Sequence, residues 1–126
     1  MSIENIPSLP DREKRFEAIT VDCYDEYEVL SAFEVYLTDA LRTPFGARWG
    51  KPGAPGVTAV TVLGVADTDA AEGVRLRVRH SDGDEYEVLA DQLWAEDASS
   101  ANAIVLDDYR VYVANGGLPL DEYGKE

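Results

Sequence analysis

From Tyr27 to Leu41 the apolar residues Val29, Phe33, Tyr36, Leu37, Ala40 and Leu41 recur at i, i+4, i+7, i+8, i+11 and i+12. That spacing lays one continuous stripe along one face of an α-helix. Asp25 and Glu28 stand three apart in a capping-box arrangement with Asp25 as N-cap. Thr43-Pro44 marks the end, because the residue before proline avoids the helical region. Glu34, Thr38, Asp39 and Arg42 are left for solvent, and the buried stripe demands a second layer to cover it.

The covering layer is legible further along. Val74-Arg75-Leu76-Arg77-Val78-Arg79 alternates strictly, which makes a strand with Val74, Leu76 and Val78 inward and three arginines outward. Its partner runs from Glu85 to Leu89. A two-residue Asp82-Gly83 turn would set Val78 opposite Glu87 and mix the two faces, which the period of two penalises. A three-residue loop, Ser81-Asp82-Gly83 with the glycine left-handed, sets Arg79 against Glu85 and Arg77 against Glu87, and pairs Val78 with Tyr86 and Leu76 with Val88. This register spends Glu85 and Glu87 on cross-strand ion pairs and removes them as ligands.

Upstream, Phe45 to Trp49 reads as a short strand and residues 50–56 as a Gly/Pro loop. Val57 to Ala66 reads as a strand with a possible bulge at Gly64, and residues 67–73 as a turn. Ala90-Asp91-Gln92-Leu93 is expected as a short turn closing a small barrel, with Trp94 plugging an end of the core. Ser8 with Asp11 resembles a capping box for a helix through Arg12 to about Ala18, with Phe16 and Ile19 inward. A last helix is expected from Ser99 or Ser100 through Ile104, Val105, Tyr109 and Tyr112 to Asn115-Gly116, though its β-branched residues leave a strand open. Residues 1–10 read as a flexible arm, 11–117 as a single α+β domain and 118–126 as a flexible acidic tail. At 126 residues such a domain buries roughly two-thirds of its unfolded surface without metal or disulfide staples.

Net charge is −14, from 25 acidic against 11 basic residues. That sign repels phosphate backbones and anionic lipid, so neither nucleic acid nor membrane is an expected partner, while divalent cations and a basic protein partner are favoured. No apolar run approaches the ~20 residues of a membrane span, and the N-terminus lacks the basic-then-apolar build of a signal peptide. The cytoplasm is the expected compartment. Cys23 and His80 are each the sole residue of their kind, so no thiolate zinc site of ordinary spacing can be drawn. The charges of Asp22 and Asp25 would raise the Cys23 thiol pKa and suppress the thiolate. Neither a nucleophile elbow nor a phosphate or dinucleotide loop occurs, and no enzyme is expected.

Calcium asks only for six to eight oxygens, several of them carboxylate, in tolerant geometry. Asp22, Asp25, Glu26 and Glu28 crowd four negative charges into seven residues, and a cation would relieve their repulsion. Against this, Asp25 and Glu28 are also claimed by helix capping, and the positive end of a helix opposes a cation. Asp39 lies about 16 Å farther along the helix, too far to share an ion with Glu28, and Arg42 is available to pair with it. The EF-hand pattern fails from both Asp67 and Asp82: the third acidic position and the glycine fall on Ala71 and Glu72 in one case, on Tyr86 and Glu87 in the other. The Asp67/Asp69/Glu72, Asp82/Asp84, Glu96/Asp97 and Asp107/Asp108 groups read as polar turns or solvated faces.

Ile19-Thr20-Val21-Asp22-Cys23-Tyr24-Asp25-Glu26-Tyr27-Glu28, then Tyr36-Leu37-Thr38-Asp39-Ala40-Leu41, then Pro44-Phe45-Gly46-Ala47 together resemble the small bacterial calcium-binding proteins of the cyanobacterial CcbP type. Leu89-Ala90-Asp91-Gln92-Leu93 and Asp107-Asp108-Tyr109-Arg110-Val111-Tyr112-Val113 are similar to that family's closing segment and last helix, so the likeness runs from about Glu13 to Gly116. It implies a calcium-binding protein without EF-hands, acidic and cytosolic, whose helices pack around a small SH3-like antiparallel β-barrel. Asp22, Glu28 and Asp39 are the acidic positions the resemblance carries over as metal ligands; Asp25 and Glu26 join them on local chemistry. Ca2+ is the expected cofactor, held as a buffer or sensor. The alternative is an SH3-like acidic interaction module that binds a basic partner without metal.

Overall fold

The structure, a computed structural model, describes residues 3–9, 11–50, 55–69 and 72–115. Helices α1 (Arg12–Thr20) and α2 (Glu26–Ala40) come first. Strands β1 (Phe45–Trp49), β2 (Thr58–Asp69), β3 (Gly73–His80), β4 (Glu85–Leu89) and β5 (Leu93–Ala95) follow, and α3 (Ala101–Ala114) closes the order. All pairings are antiparallel, and the sheet runs β4-β3-β2-β1-β5.

Each helix begins where a side chain can satisfy its free N–H groups. Asp11 accepts from the Lys14 N–H at 2.8 Å, Asp25 from that of Glu28 at 2.9 Å and Ser100 from that of Ala103 at 3.2 Å. The cap of α1 is therefore Asp11, not Ser8. The expected stripe of α2 is inside, with Phe33, Tyr36 and Leu37 fully buried, although the helix stops at Ala40, ahead of the Thr43-Pro44 bond.

The hairpin register follows the alternation of charge and apolar residues: Arg79 opposes Glu85, Arg77 opposes Glu87, Val78 opposes Tyr86 and Leu76 opposes Val88. Arg79 lies 3.1 Å and Arg77 3.9 Å from those carboxylates. Gly83 has φ +94 at the loop. Tyr86 nevertheless remains 44% exposed, because it lies on the edge strand near the hairpin end. The pairing of β2 with β3 shifts between Val62 and Gly64 and again between Val65 and Asp67. This irregular strand continues to Asp69, into a stretch expected as a turn.

Three expectations are corrected. The sheet does not close among the described residues: β5 is three residues long, it pairs with β1 alone, and a 3-10 turn over Ala90–Gln92 carries the chain between the two edges. Trp94 is no plug; it is half-buried beneath the Arg110 guanidinium, 4.4 Å from the ring centroid, and Leu93 beside it takes the fully buried place. Ile3–Ser8, read as part of an arm, forms a 3-10 helix whose Ile6 is 3% exposed. The acidic tail expected over 118–126, the boundary at 117 and Gly116 lie outside the described residues.

Phe33 centres the core. It stacks on Tyr112 at 4.1 Å and meets Phe16 edge-on at 5.3 Å, so one side chain of α2 touches rings from both α3 and α1. A fourth correction concerns Asp108, read as part of a solvated pair. It is fully buried, on the same stripe of α3 as Val105, Tyr109 and Tyr112. Arg15 donates to it twice, Arg12 once at 3.2 Å and the Tyr36 hydroxyl once at 2.8 Å. A buried charge requires such partners, and these come from both other helices.

Candidate metal centre

The α1–α2 junction is short, so the carboxylates near it are held by the start of α2. Asp25 lies in extended backbone, φ −144 and ψ 174, as the N-cap. One of its oxygens accepts from the Glu28 N–H, and Glu28 reaches back to accept from the Tyr24 N–H at 2.7 Å. This reciprocal arrangement satisfies two free donors and uses one oxygen of each carboxylate. Asp25 Oδ2 and Glu28 Oε1 remain. Asp22 makes no hydrogen bond or ion pair among the described residues, and it lines the same surface groove as Asp25 and Glu28.

Two of the five expected ligands stand elsewhere. Glu26 does not line that groove. Its charge acts instead on Tyr112, whose phenol is pushed up to about 12, first by burial, then by Tyr109, then by Glu26. Asp39 is exposed near the far end of α2, about 16 Å from Glu28 by helix rise. The Arg42 pairing considered for Asp39 does not form among the described residues; the Arg42 backbone is held by Asn102 instead.

Donor chemistry fits a hard cation: the groove offers carboxylate oxygen. The Cys23 thiol in the same groove is pushed up by burial and by Glu28, Asp22 and Asp25. Convergence is incomplete. Asp22, Asp25 and Glu28 line one groove, yet among the described residues no three His, Cys, Asp or Glu side chains gather into a metal-binding group.

The other acidic groups have visible duties. Glu72 pairs with Arg75 at 2.8 Å, and Asp67 lies 3.7 Å from the same side chain. Asp82 accepts from the Asp84 N–H. Asp97 is held below the usual carboxylate range by the Ser99 hydroxyl and N–H. Asp107 pairs with Arg12 and Arg110.

Three helices and an antiparallel five-stranded sheet, with three carboxylates lining a groove at a helix entry, define an acidic α+β protein whose groove offers hard oxygen donors. A family model described as calcium binding, of the CcbP type, matches residues 14–113, and the chain belongs to that family. It is similar to the crystal structure of Anabaena CcbP at 27% identity and TM-score 0.68, covering 82% of this chain and 89% of that one. It is also similar to a calcium-binding protein in the calcium-binding form, at 27% identity and TM-score 0.70, covering 92% of this chain and 98% of that one. No curated protein matches.

Proposed function

We infer that this protein binds calcium ions without an EF-hand, as a buffer or sensor, and that the entry of α2 is its principal site. The family match over residues 14–113 carries the reading. In the site we propose, Asp22 supplies both its oxygens, and Asp25 and Glu28 each add the oxygen that capping leaves. Water and backbone carbonyls complete the shell. Because the three carboxylates do not converge beforehand, binding draws Asp22 inward. The positive end of α2 opposes the ion, so the carboxylates must outweigh it. Asp39 would hold a second, separate ion.

The strand order, with a 3-10 turn joining its two edge strands, supports the reading of the sheet as an SH3-like barrel left open. We place the protein in the cytoplasm, since a chain with one cysteine has no internal disulfide that would need an oxidising compartment. Among the described residues no helix is long and apolar enough to cross a membrane.

Calorimetric titration with calcium, repeated in excess magnesium, tests the reading. Saturable heat at roughly micromolar calcium that magnesium does not abolish supports it; no heat below roughly millimolar overturns it.

A further inference from the structure

Among the described residues, most of the exposed large apolar side chains lie on α2 or the junction before it. Among the described residues the exposed large hydrophobic side chains are Val21 (75%), Tyr24 (91%), Tyr27 (65%), Val35 (47%) and Tyr86 (44%). Four of these five belong to the α1–α2 junction or to α2 itself. Val21, Tyr27 and Val35 line an open groove of about 480 Å³ that also reaches the buried Ile19, and Asp22, Asp25 and Glu28 stand among its walls. The core does not use this row: the buried stripe of α2 is Val29, Phe33, Tyr36, Leu37 and Ala40. An apolar strip is thereby set beside three carboxylates, the two kinds of contact an amphipathic helix can use.

Charge decides the occupant. No lysine or arginine lines the groove among the described residues, and the chain carries −14. A second copy would bring like-charged rims together, and nucleic acid or anionic lipid would be repelled. We propose that the groove docks a basic amphipathic helix of a partner protein, its apolar row on Val21, Tyr27 and Val35 and its lysines or arginines over Asp22, Asp25 and Glu28. These are the carboxylates assigned above to calcium. Resting on that assignment, calcium and the basic partner exclude each other, and the antagonism is reciprocal. The protein then reports calcium by releasing its partner.

The probe is a synthetic Leu/Lys peptide about four turns long with one apolar face, compared with a scrambled peptide of the same composition. Both are titrated against the full chain in chelator by fluorescence anisotropy. The two-faced peptide should bind about tenfold tighter or more than the scrambled one, and the double variant Val35→Ser, Tyr27→Ser should erase that difference. Both positions are exposed, so the fold survives. Equal binding of the two peptides, or an unaltered preference in the variant, means diffuse charge attraction and overturns the docking site. A dimer seen by sedimentation that Val35→Ser abolishes would assign the groove to a second copy and also overturn it. Saturating calcium should weaken the two-faced peptide, and the peptide should weaken calcium by the same factor. Calcium that binds in calorimetry without changing peptide affinity overturns the antagonism. Absence of calcium binding overturns the calcium assignment, and with it the antagonism, while the chelator titration still decides the docking site.

Discussion

Arg15 on α1 and Asp108 on α3, 93 residues apart in the chain, meet in the interior through two hydrogen bonds, Nε to Oδ2 at 2.7 Å and Nη2 to Oδ1 at 3.0 Å. The pairing raises the Arg15 pKa, and the same carboxylate accepts the Tyr36 hydroxyl from α2. The three helices are thereby fixed against one another by a fully satisfied charge. Removing one partner strands the other. Asp108→Ala should cost about 3–5 kcal/mol, read from urea unfolding of the variant beside the parent chain; a loss under about 1 kcal/mol would mean that Arg15 finds water instead.

Capping and the proposed calcium binding make different demands on Asp25, and two substitutions separate them. Asp25→Ala should lose about 1 kcal/mol of stability together with calcium affinity. Asp25→Ser keeps the acceptor for the Glu28 N–H but removes the charge, so stability should change by only a few tenths of a kcal/mol while calcium affinity falls as in the alanine variant. Thermal unfolding and calorimetry on both variants check this. If serine also restores calcium affinity, the carboxylate is not a ligand.

How much of this was legible depended on whether neighbouring residues constrain each other. The β3–β4 register could be read because Arg77, Arg79, Glu85 and Glu87 alternate with Val78, Leu76 and Val88, and the three-residue loop keeps both sets on their own faces where a two-residue loop mixes them. The start of α2 could be read for the same reason, from the three-residue spacing of Asp25 and Glu28. Asp108 does not look buried in the sequence because the adjacent carboxylates Asp107 and Asp108 resemble a solvated face. Its position three after Val105, one before Tyr109 and four before Tyr112 carried the signal that it lies on the buried stripe. Closure of the sheet depends on the length of β5 and on the direction in which the Ala90–Gln92 turn sends it away from β4, which no local pattern encodes. The candidate ligands were legible as a cluster, but helix geometry divides them, sending Glu26 toward Tyr112 and Asp39 to the other end of α2.

Gly73 has φ +103, and a Cβ there would collide with the Tyr109 hydroxyl, which accepts from the Val74 N–H at 2.8 Å. Gly56 has φ +84 with open space around it. Gly56→Ala should therefore cost only the left-handed penalty of about 1–2 kcal/mol. Gly73→Ala adds the collision and the displaced hydrogen bond, and should cost at least about 1 kcal/mol more. Parallel denaturant melts decide this, and equal losses would place Tyr109 away from β3.

The Tyr112 phenol, at about 12 in the folded chain against roughly 10 when unfolded, makes stability fall at high pH. Below pH 10 both states hold the proton and the contribution is complete. Between about 10 and 12 the unfolded chain ionises first, so stability drops by up to about 1.4 kcal/mol per pH unit for this group. The Tyr36 phenol is raised as well, by burial and then by Asp108, and continues the decline. Urea unfolding across that window should show the fall, with a shallower slope in Tyr112→Phe; an identical slope would contradict the assignment.

The most direct test of the calcium site follows backbone amide resonances of the whole chain by nuclear magnetic resonance during calcium titration. The groove formed by Asp22, Asp25 and Glu28 predicts saturable shifts centred on residues 21–28, abolished in Asp22→Asn, with any response around Asp39 saturating independently. Saturable shifts that leave residues 21–28 unmoved, or that persist there unchanged in Asp22→Asn, would contradict it.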